Sequence, residues 1–332
     1  MKKYRVFVTR QLFDEAIEII KKEADVELFE GIDNPVPRDL LLTKIKDIDG
    51  LICLLTDTID SEIIEKGIKL KVISNYAVGF NNIDVNTATK KGIYVTNTPG
   101  ILTETTADFT FALLLAISRR IVESDRYVRM GNWKYAWGPR MFLGSDVNGK
   151  TLGIIGLGRI GKALVKRAKG FDMKIIYYDI DRDESFEKSY GVSFQSLKDL
   201  LKEADFVSVN VPLTQNTYHL IGEKEISLMK KTAFLVNTSR GAVIDENNLY
   251  TALKNKLIAG AALDVFEKEP IDPENPLLRL DNIIVTPHIA SASIETRKNM
   301  AIMAAKNLVA ALRGEEPPNL VNPEAKKFRG LK

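Results

Sequence analysis

Three glycines near the middle of the chain have the spacing of a phosphate-binding turn. Gly156, Gly158 and Gly161 form a G-x-G-x-x-G pattern between an apolar run and a helical run. In such a turn the first glycine permits a tight bend, the second lets the backbone approach a pyrophosphate, and the third lets the helix pack on its strand. Asp179 ends the next apolar run, where an acid accepts hydrogen bonds from the adenine-side ribose of NAD. The pattern predicts a dinucleotide site; the alternative is a tight strand-to-helix turn without a ligand.

Three further polar residues follow apolar runs in the second half of the chain. Arg240, Glu269 and His288 each come after a run that is typical of a buried strand. Ligands of open parallel sheets bind at the carboxyl ends of the strands, so we expect these side chains to lie close together. A guanidinium can bind a carboxylate through two hydrogen bonds, and an imidazole exchanges protons near neutral pH when a carboxylate orients it. The set predicts proton transfer to a substrate that carries a carboxylate; the alternatives are a structural histidine and ordinary surface charges.

Two other residues have side chains capable of chemistry. His219 lies on the connection after Pro212, and we expect it to be structural and hydrogen-bonded to the backbone. Cys53 is the single cysteine and lies within the apolar run 51–55, which predicts a buried thiol. A disulfide within the chain is impossible, and no metal-binding pattern is present.

The composition is that of an ordinary globular protein. The 332 residues are 45% hydrophobic and 27% charged, with a net charge of +3, and this length allows two domains with their own cores. Charges of both signs are mixed along the chain, so we expect neither nucleic acid nor a membrane as a partner. The longest apolar stretch, 109–117, is far shorter than a membrane-spanning helix. We expect no signal peptide, because the first residues lead directly into a short strand, and we expect a reducing, cytoplasmic location.

Two series of alternating strands and helices must position these residues. The first series has predicted strands at 5–9, 50–55, 70–74 and 93–96, with helices at 12–22 and 61–66. The second series has predicted strands at 151–155, 174–178, 206–211, 233–237, 259–264 and 283–286. This alternation predicts an α/β chain with two doubly wound parallel sheets.

Two helices and one irregular segment lie outside these series. A long, largely apolar helix is predicted from 103 to 120, and we expect it to be buried between domains. The segment 121–148 has an irregular pattern and contains both tryptophans, Trp133 and Trp137. An amphipathic helix is predicted from 293 to 312; it either completes the second domain or, as we expect, returns to the first.

Several segments outside the glycine motif resemble a known family. Residues 75–84, 94–100 and 137–144, with the three polar residues above, resemble the D-isomer-specific 2-hydroxyacid dehydrogenases and especially their glyoxylate/hydroxypyruvate reductase branch. The resemblance covers nearly the whole chain.

This resemblance implies a particular division of the chain. A Rossmann nucleotide-binding domain is implied at 100–289, with a dimerisation arm at about 121–148. A flavodoxin-like substrate-binding domain is implied for 1–99 and 290–332, with a cleft between the two domains. The implied assembly is a homodimer joined through the nucleotide-binding domain.

The resemblance also implies a reaction, in which a small 2-oxoacid, glyoxylate or hydroxypyruvate, is reduced at the expense of NAD(P)H. Arg240 would bind the substrate, His288 would donate a proton to its carbonyl oxygen, and Glu269 would pair with His288. Further substrate contacts are implied for Leu55, Val78, Gly79, Ser291 and Trp137, the last of these in the partner's pocket. Further cofactor contacts are implied for Thr106, Arg159, Ile160, Pro212, Thr217, Thr238 and Asp264, in addition to the glycines and Asp179.

Two departures from the family pattern affect these expectations. Ala290 lies at the end of the loop around His288 (residues 286–290, the histidine loop), where glycine is commoner in the family. This loop is therefore expected to sit slightly differently. Asp179 would repel the 2′-phosphate of NADP, whereas Arg182 could partly offset that repulsion. NAD is therefore the predicted cofactor and NADP the alternative.

Two alternative functions remain at this stage. The first is another activity of the same family, that of a 3-phosphoglycerate or D-lactate dehydrogenase. The loops at 54–58 and 76–80 contain no basic residue, which disfavours a phosphorylated substrate. The second alternative is a dinucleotide-sensing binding protein, similar to the corepressors related to dehydrogenases.

Overall fold

The computed structural model describes residues 4–31 and 34–329, and the contacts within it divide the chain into two compact units. The first unit comprises Met1–Leu102 and Ser293–Lys332, and the second comprises Thr103–Ala292. Each is built on one parallel sheet with helices on both faces, so the predicted α/β class with two doubly wound sheets is confirmed.

The strands and helices follow one another in βα order over most of the chain. The strands are β1 (Tyr4–Val8), β2 (Ala24–Leu28), β3 (Gly50–Cys53), β4 (Val72–Asn75), β5 (Tyr94–Thr96), β6 (Thr151–Ile155), β7 (Lys174–Tyr178), β8 (Ser193–Phe194), β9 (Phe206–Val209), β10 (Phe234–Asn237), β11 (Gly260–Leu263) and β12 (Ile283–Val285). The helices are α1 (Asp14–Lys21), α2 (Arg38–Lys44), α3 (Ser61–Lys66), α4 (Val85–Lys90), α5 (Thr103–Ser118), α6 (Ile121–Arg129), α7 (Arg159–Lys169), α8 (Glu184–Tyr190), α9 (Leu197–Glu203), α10 (Glu223–Leu228), α11 (Glu246–Lys254) and α12 (Ile294–Leu312). Short 3₁₀ helices occur at Gly241–Val243, Pro276–Arg279 and Pro323–Phe328.

The first unit has the strand order β2-β1-β3-β4-β5, which is the flavodoxin-like order of doubly wound folds. Helix α12 covers one face of this sheet together with α1. The helix begins where the Ser293 hydroxyl accepts the Thr296 N–H, and it buries Ala304 and Leu308 against the strands. Ser74 on β4 donates its hydroxyl to the Ala304 carbonyl at 2.9 Å, so this contact is polar as well as apolar.

The second unit has the strand order β12-β11-β10-β9-β6-β7-β8. From β6 onwards this is the Rossmann order, in which the chain moves outward from a central strand in one direction and then in the other. Strands β9, β10 and β11 are buried along their whole length, and α5 packs against α7, β10 and β11 on one face. A seventh strand, β8, was not predicted, because it pairs only two residues with β7 and is too short to show a pattern.

The segment predicted to be irregular begins with a helix. Helix α6 follows α5 after a break at Arg120, whose φ is +55°. A non-glycine residue in this left-handed region is uncommon, and neither glycine nor proline marks the break in the sequence. No residue of α6 is buried, so the helix lacks the buried stripe that identifies most helices. In residues 4–31 and 34–329, no helix is both long and apolar enough to span a bilayer.

Candidate active site

The glycine turn between β6 and α7 has the shape that a dinucleotide needs. Gly156 has a φ of +95°, which glycine adopts without strain. A Cβ atom on Gly161 would lie 2.3 Å from the Gly156 carbonyl oxygen, so only glycine lets α7 approach the strand this closely. A Cβ atom on Gly158 would meet no heavy atom within 4 Å, and the space beside it is open at the helix N-terminus. The turn therefore leaves room for a pyrophosphate next to donating amides.

The acid at the end of β7 points towards this turn. Asp179 accepts the Leu157 N–H at 2.7 Å through Oδ2 and the Ile180 N–H at 2.7 Å through Oδ1. Its carboxylate therefore lies beside the glycine turn, where the ribose of a dinucleotide is expected. Arg159 and Ile160, also predicted to contact the cofactor, form the first turn of α7.

Other predicted cofactor residues have structural hydrogen bonds of their own. Thr217 donates its hydroxyl to the Pro212 carbonyl at 2.6 Å and so closes the loop after β9. The hydroxyls of Thr238 and Thr110 are 2.7 Å apart, and Thr110 also donates to the Thr106 carbonyl. Thr217 and Thr238 are thereby held in the loops after β9 and β10, whereas Thr106 lies in α5. The contacts of these three residues with a cofactor stay predictions.

An imidazole and a carboxylate form a close pair in the second unit. His288 Nδ1 lies 2.6 Å from Glu269 Oε2, and the Phe266 N–H donates to Glu269 Oε1 at 3.0 Å. Both side chains are about one-quarter exposed, so solvent reaches the pair without surrounding it. Because Nδ1 is committed to the carboxylate, Nε2 is the nitrogen that can exchange a proton with a substrate.

The third predicted catalytic residue is close enough to interact with this pair. Burial lowers the pKa of Arg240, and the neighbouring Glu269 opposes that shift. Burial would raise the pKa of Glu269, but His288, the Phe266 N–H and Arg240 together hold it below its usual range. Glu269 is therefore a carboxylate at neutral pH, next to the Arg240 cation and the His288 imidazole.

Asp264 supports the histidine loop, a role that the sequence did not reveal. Its Oδ1 accepts the Thr286 hydroxyl at 2.6 Å and the Ile289 N–H at 2.9 Å, and its Oδ2 accepts the Ala290 N–H at 2.8 Å. These bonds lie on either side of His288, whose φ of +55° needs such support. Burial raises the pKa of Asp264, and the three bonds limit that rise. The signal for this role that the sequence offered was the position of Asp264 directly after a buried strand.

The second histidine is bonded both to the backbone, as predicted, and to a side chain. The His219 N–H donates to the Ala242 carbonyl at 2.8 Å, and His219 Nε2 lies 3.0 Å from Glu267 Oε1. The Glu246 N–H donates to the same oxygen at 3.0 Å, and the Glu267 N–H donates back to Glu246 Oε1 at 2.6 Å. This exchange ties the segment just before Glu269 to the start of α11. The sequence could not identify it, because its members are 21 or more residues apart.

In the first unit, two asparagines hold the loops that carry predicted substrate residues. Those residues are Leu55, after β3, and Val78 and Gly79, after β4. Asn75 Nδ2 donates to the Gly79 carbonyl at 2.9 Å, and Asn82 Nδ2 donates to the Leu54 carbonyl at 3.0 Å. Cys53 beneath them is fully buried, and burial raises the pKa of its thiol, so the predicted buried thiol is confirmed.

The segment from α6 to 144 exposes many large apolar side chains. Trp137 is 80% exposed and Trp133 is 53% exposed. Val128, Met130 and Leu143 are each at least half exposed. Isolated apolar residues on a surface are ordinary, but this many in one segment are typical of an interaction surface.

Ser291, the remaining predicted substrate residue, is half-buried just after the histidine loop.

Comparison with known proteins assigns the chain to a family. Residues 111–290 match the NAD-binding domain of D-isomer-specific 2-hydroxyacid dehydrogenases. The chain belongs to this family. A glyoxylate reductase from Korarchaeum cryptofilum is 57% identical, over 98% of this chain and 98% of its own. The family resemblance seen in the sequence is confirmed.

Solved structures agree with this assignment over nearly the full length. A protein from Thermus thermophilus is 44% identical, with a TM-score of 0.90, over 96% of this chain and 99% of its own. An NADPH-dependent glyoxylate/hydroxypyruvate reductase from Sinorhizobium meliloti, in complex with NADP and malonate, is 31% identical. Its TM-score is 0.86 over 98% of both chains. The chain is therefore an NAD(P)-dependent oxidoreductase that reduces a small 2-oxoacid, as predicted, and the alternative functions are not favoured.

Proposed function

We propose that this enzyme reduces glyoxylate or hydroxypyruvate with NADH, using His288 as the proton donor. The observation that carries the proposal is the 2.6 Å contact between His288 Nδ1 and Glu269 Oε2, with Arg240 beside the same carboxylate. A carboxylate that stays ionised stabilises the imidazolium form, which is the form that can donate a proton.

Each side chain of the set has a distinct part in this reaction. The reduced nicotinamide, when bound, supplies the hydride. Arg240 holds the substrate carboxylate with its planar fork and orients the neighbouring carbonyl. His288 passes the proton from Nε2 to the carbonyl oxygen, and Glu269 keeps the ring in the required tautomer. Asp264 is a positioning residue, because it holds the loop on both sides of the histidine.

The substrate is proposed to be small and unphosphorylated. The relative from Korarchaeum cryptofilum is named for glyoxylate, and that from Sinorhizobium meliloti for glyoxylate and hydroxypyruvate. In the first unit, the loops 54–58 and 76–80 contain no lysine or arginine that would favour a phosphate. We propose that these loops, held by Asn75 and Asn82, carry the substrate contacts of that unit.

We also propose that the exposed segment 121–144 is buried in a homodimer. The support is the concentration of exposed apolar side chains there, Trp137 above all. A surface of this kind is stabilised when a second copy covers it.

A panel of oxoacids tests the proposed substrate. NADH oxidation should be followed with glyoxylate, hydroxypyruvate, pyruvate and 3-phosphohydroxypyruvate, and kcat/KM compared. We expect the first two to exceed the others by at least about tenfold, since the choice of substrate is a difference in transition-state binding. A higher kcat/KM for pyruvate or for the phosphorylated acid would replace the proposal with a lactate or phosphoglycerate dehydrogenase.

A further inference from the structure

Two basic side chains line the cavity between Asp179 and the start of α8, and each of them is bonded to the carboxylate of an acidic residue. The cavity has a volume of about 630 Å³ and is lined by the end of β7, the first turns of α7 and α8, and the loop between β7 and α8. Arg182 and Lys162 are the basic residues of its wall, and both are of the type that binds phosphate. Four acidic residues share that wall, namely Asp179, Asp181, Asp183 and Glu184.

Arg182 is held by a carboxylate that lies outside the cavity wall. Its Nε and Nη2 donate to Glu187 Oε1 and Oε2 at 2.8 and 2.9 Å, which is a bidentate pair. The Glu187 side chain is only 13% exposed, whereas that of Arg182 is 54% exposed, so the acid fixes the position of the arginine. Glu187 also accepts the Tyr177 hydroxyl at 2.8 Å. Burial raises the pKa of Tyr177 to about 12, so its phenol remains a donor.

Lys162 is held in a similar way. Its Nζ lies 2.6 Å from Asp183 Oδ2, and the other oxygen of Asp183 accepts the Phe186 N–H and the Ser185 hydroxyl. The Asp183 N–H in turn donates to Tyr177 Oη at 2.9 Å. Both ion pairs are therefore connected to the same buried tyrosine of β7, and they form one network rather than two separate surface contacts.

We propose that this cavity is a silenced 2′-phosphate site, in which Glu187 and Asp183 keep Arg182 and Lys162 from binding the 2′-phosphate of NADP. In the Rossmann fold an acid at the end of the second strand faces the ribose 2′-hydroxyl, and a nearby arginine is what admits a 2′-phosphate. Here Arg182 is present, but its positive charge and its paired N–H donors are already bonded to Glu187. The inference rests on the proposed preference for NADH and extends it: Asp179 rejects the phosphate, and the two ion pairs withhold the cations that could accept it.

Isosteric variants test the proposal because they remove a charge and keep the shape. Glu187→Gln should raise the affinity for adenosine 2′,5′-bisphosphate, measured by calorimetry without substrate, by about tenfold, the scale of one charge-assisted hydrogen bond at a half-exposed site. The ratio of kcat/KM for NADPH to that for NADH should rise in parallel. Asp183→Asn, which keeps the capping oxygen of α8, should give a smaller rise in the same direction.

Two controls separate release of the arginine from a general loss of negative charge. Glu184→Gln removes a carboxylate from the cavity wall, yet in the part of the chain that the structure describes Glu184 forms no ion pair with Arg182 or Lys162. Its effect should be clearly smaller than that of Glu187→Gln. Adding Arg182→Gln to Glu187→Gln should abolish the gain.

Different results would overturn the proposed NADH preference and the proposed silenced 2′-phosphate site. A native enzyme that prefers NADPH would overturn the proposed NADH preference. No gain in Glu187→Gln, an equal gain in Glu184→Gln, or a gain that survives Arg182→Gln would overturn the silenced site, whichever cofactor the native enzyme prefers.

Discussion

His288 has one ring nitrogen bonded to Glu269, so the proton that it transfers must leave from the other. If this residue is the proton donor, His288→Ala should lower kcat for reduction by roughly 10²- to 10⁴-fold, the usual contribution of general acid catalysis. The dissociation constant of NADH, measured by its fluorescence, should change little, because the imidazole acts on the substrate carbonyl.

The matched control is the second histidine. His219 is bonded to Glu267 rather than to a group in the proposed reaction, so His219→Ala should keep most of the activity. A His288→Ala enzyme with near-native kcat, or equal losses in both variants, would remove His288 from its proposed role.

The negative charge of Glu269 lies next to the His288 ring, with Glu269 Oε2 2.6 Å from His288 Nδ1. The pKa of Glu269 is held below the usual range, so the pair with His288 persists as the pH falls through the neutral region and is lost only in acid. In Glu269→Gln a neutral amide replaces the carboxylate, so the protonated ring that donates the proton is stabilised less than in the native enzyme. The alkaline limb of the kcat profile for reduction should therefore move to lower pH. An alkaline limb unchanged in position would contradict the pairing.

At the scale of elements, two glycines of the turn between β6 and α7 are expected to serve different purposes, Gly161 in folding and Gly158 in cofactor binding. A Cβ atom at Gly161 would lie 2.3 Å from a backbone oxygen, so Gly161→Ala should push α7 from the sheet and destabilise the fold by about 1–3 kcal/mol. Gly158→Ala meets no heavy atom of the chain within 4 Å, so it should leave Tm nearly unchanged while weakening NADH binding. Thermal unfolding and NADH titration of both variants check this contrast. Equal loss of Tm in both would show that the space beside Gly158 is not open.

Elements with strong patterns could be predicted, and the missed ones have physical reasons. The interior strands are continuous apolar runs because helices cover both faces, and Ser293 with its capping hydroxyl marks the start of α12. Strand β2 was missed because it lies at the edge of its sheet and alternates acids with apolar residues, and α6 was missed because none of its residues is buried.

The candidate site shows the same division. The glycines and the strand-end residues Arg240, Glu269 and His288 could be proposed because each type implies its chemistry. The bonds of Glu267 to Glu246 and His219 join positions that only the fold brings together, so no local pattern signals them. The pairing of Arg182 with Glu187 lies within five residues, but many such charge pairs on surfaces have no effect.

For the whole molecule, the proposed homodimer gives a prediction about substrate range. Trp137 is 80% exposed in the single chain, and we propose that it closes the substrate pocket of the partner. An apolar lid excludes water and limits substrate size, so Trp137→Ala should admit larger 2-oxoacids and alter the ratios of kcat/KM among them. NADH binding should not change.

The assembly itself should be measured beside the kinetics. Sedimentation of the native protein should give a dimer, and Trp133→Ala serves as the aromatic control in the same segment. A monomeric native enzyme, or the same altered selectivity in both variants, would contradict the role of Trp137.

The way in which α12 covers the first sheet also has a consequence for biosynthesis. The strands of the first unit are translated early, but the helix that buries Ala304 and Leu308 against them emerges only after the whole second unit has been made. A nascent chain must therefore leave the part of this sheet face that α1 does not cover exposed until translation is almost complete, whereas the contiguous second unit can fold as soon as it leaves the ribosome. Premature termination near residue 292 should give a folded nucleotide-binding unit that is attached to an unfinished one, and cellular proteases should remove it.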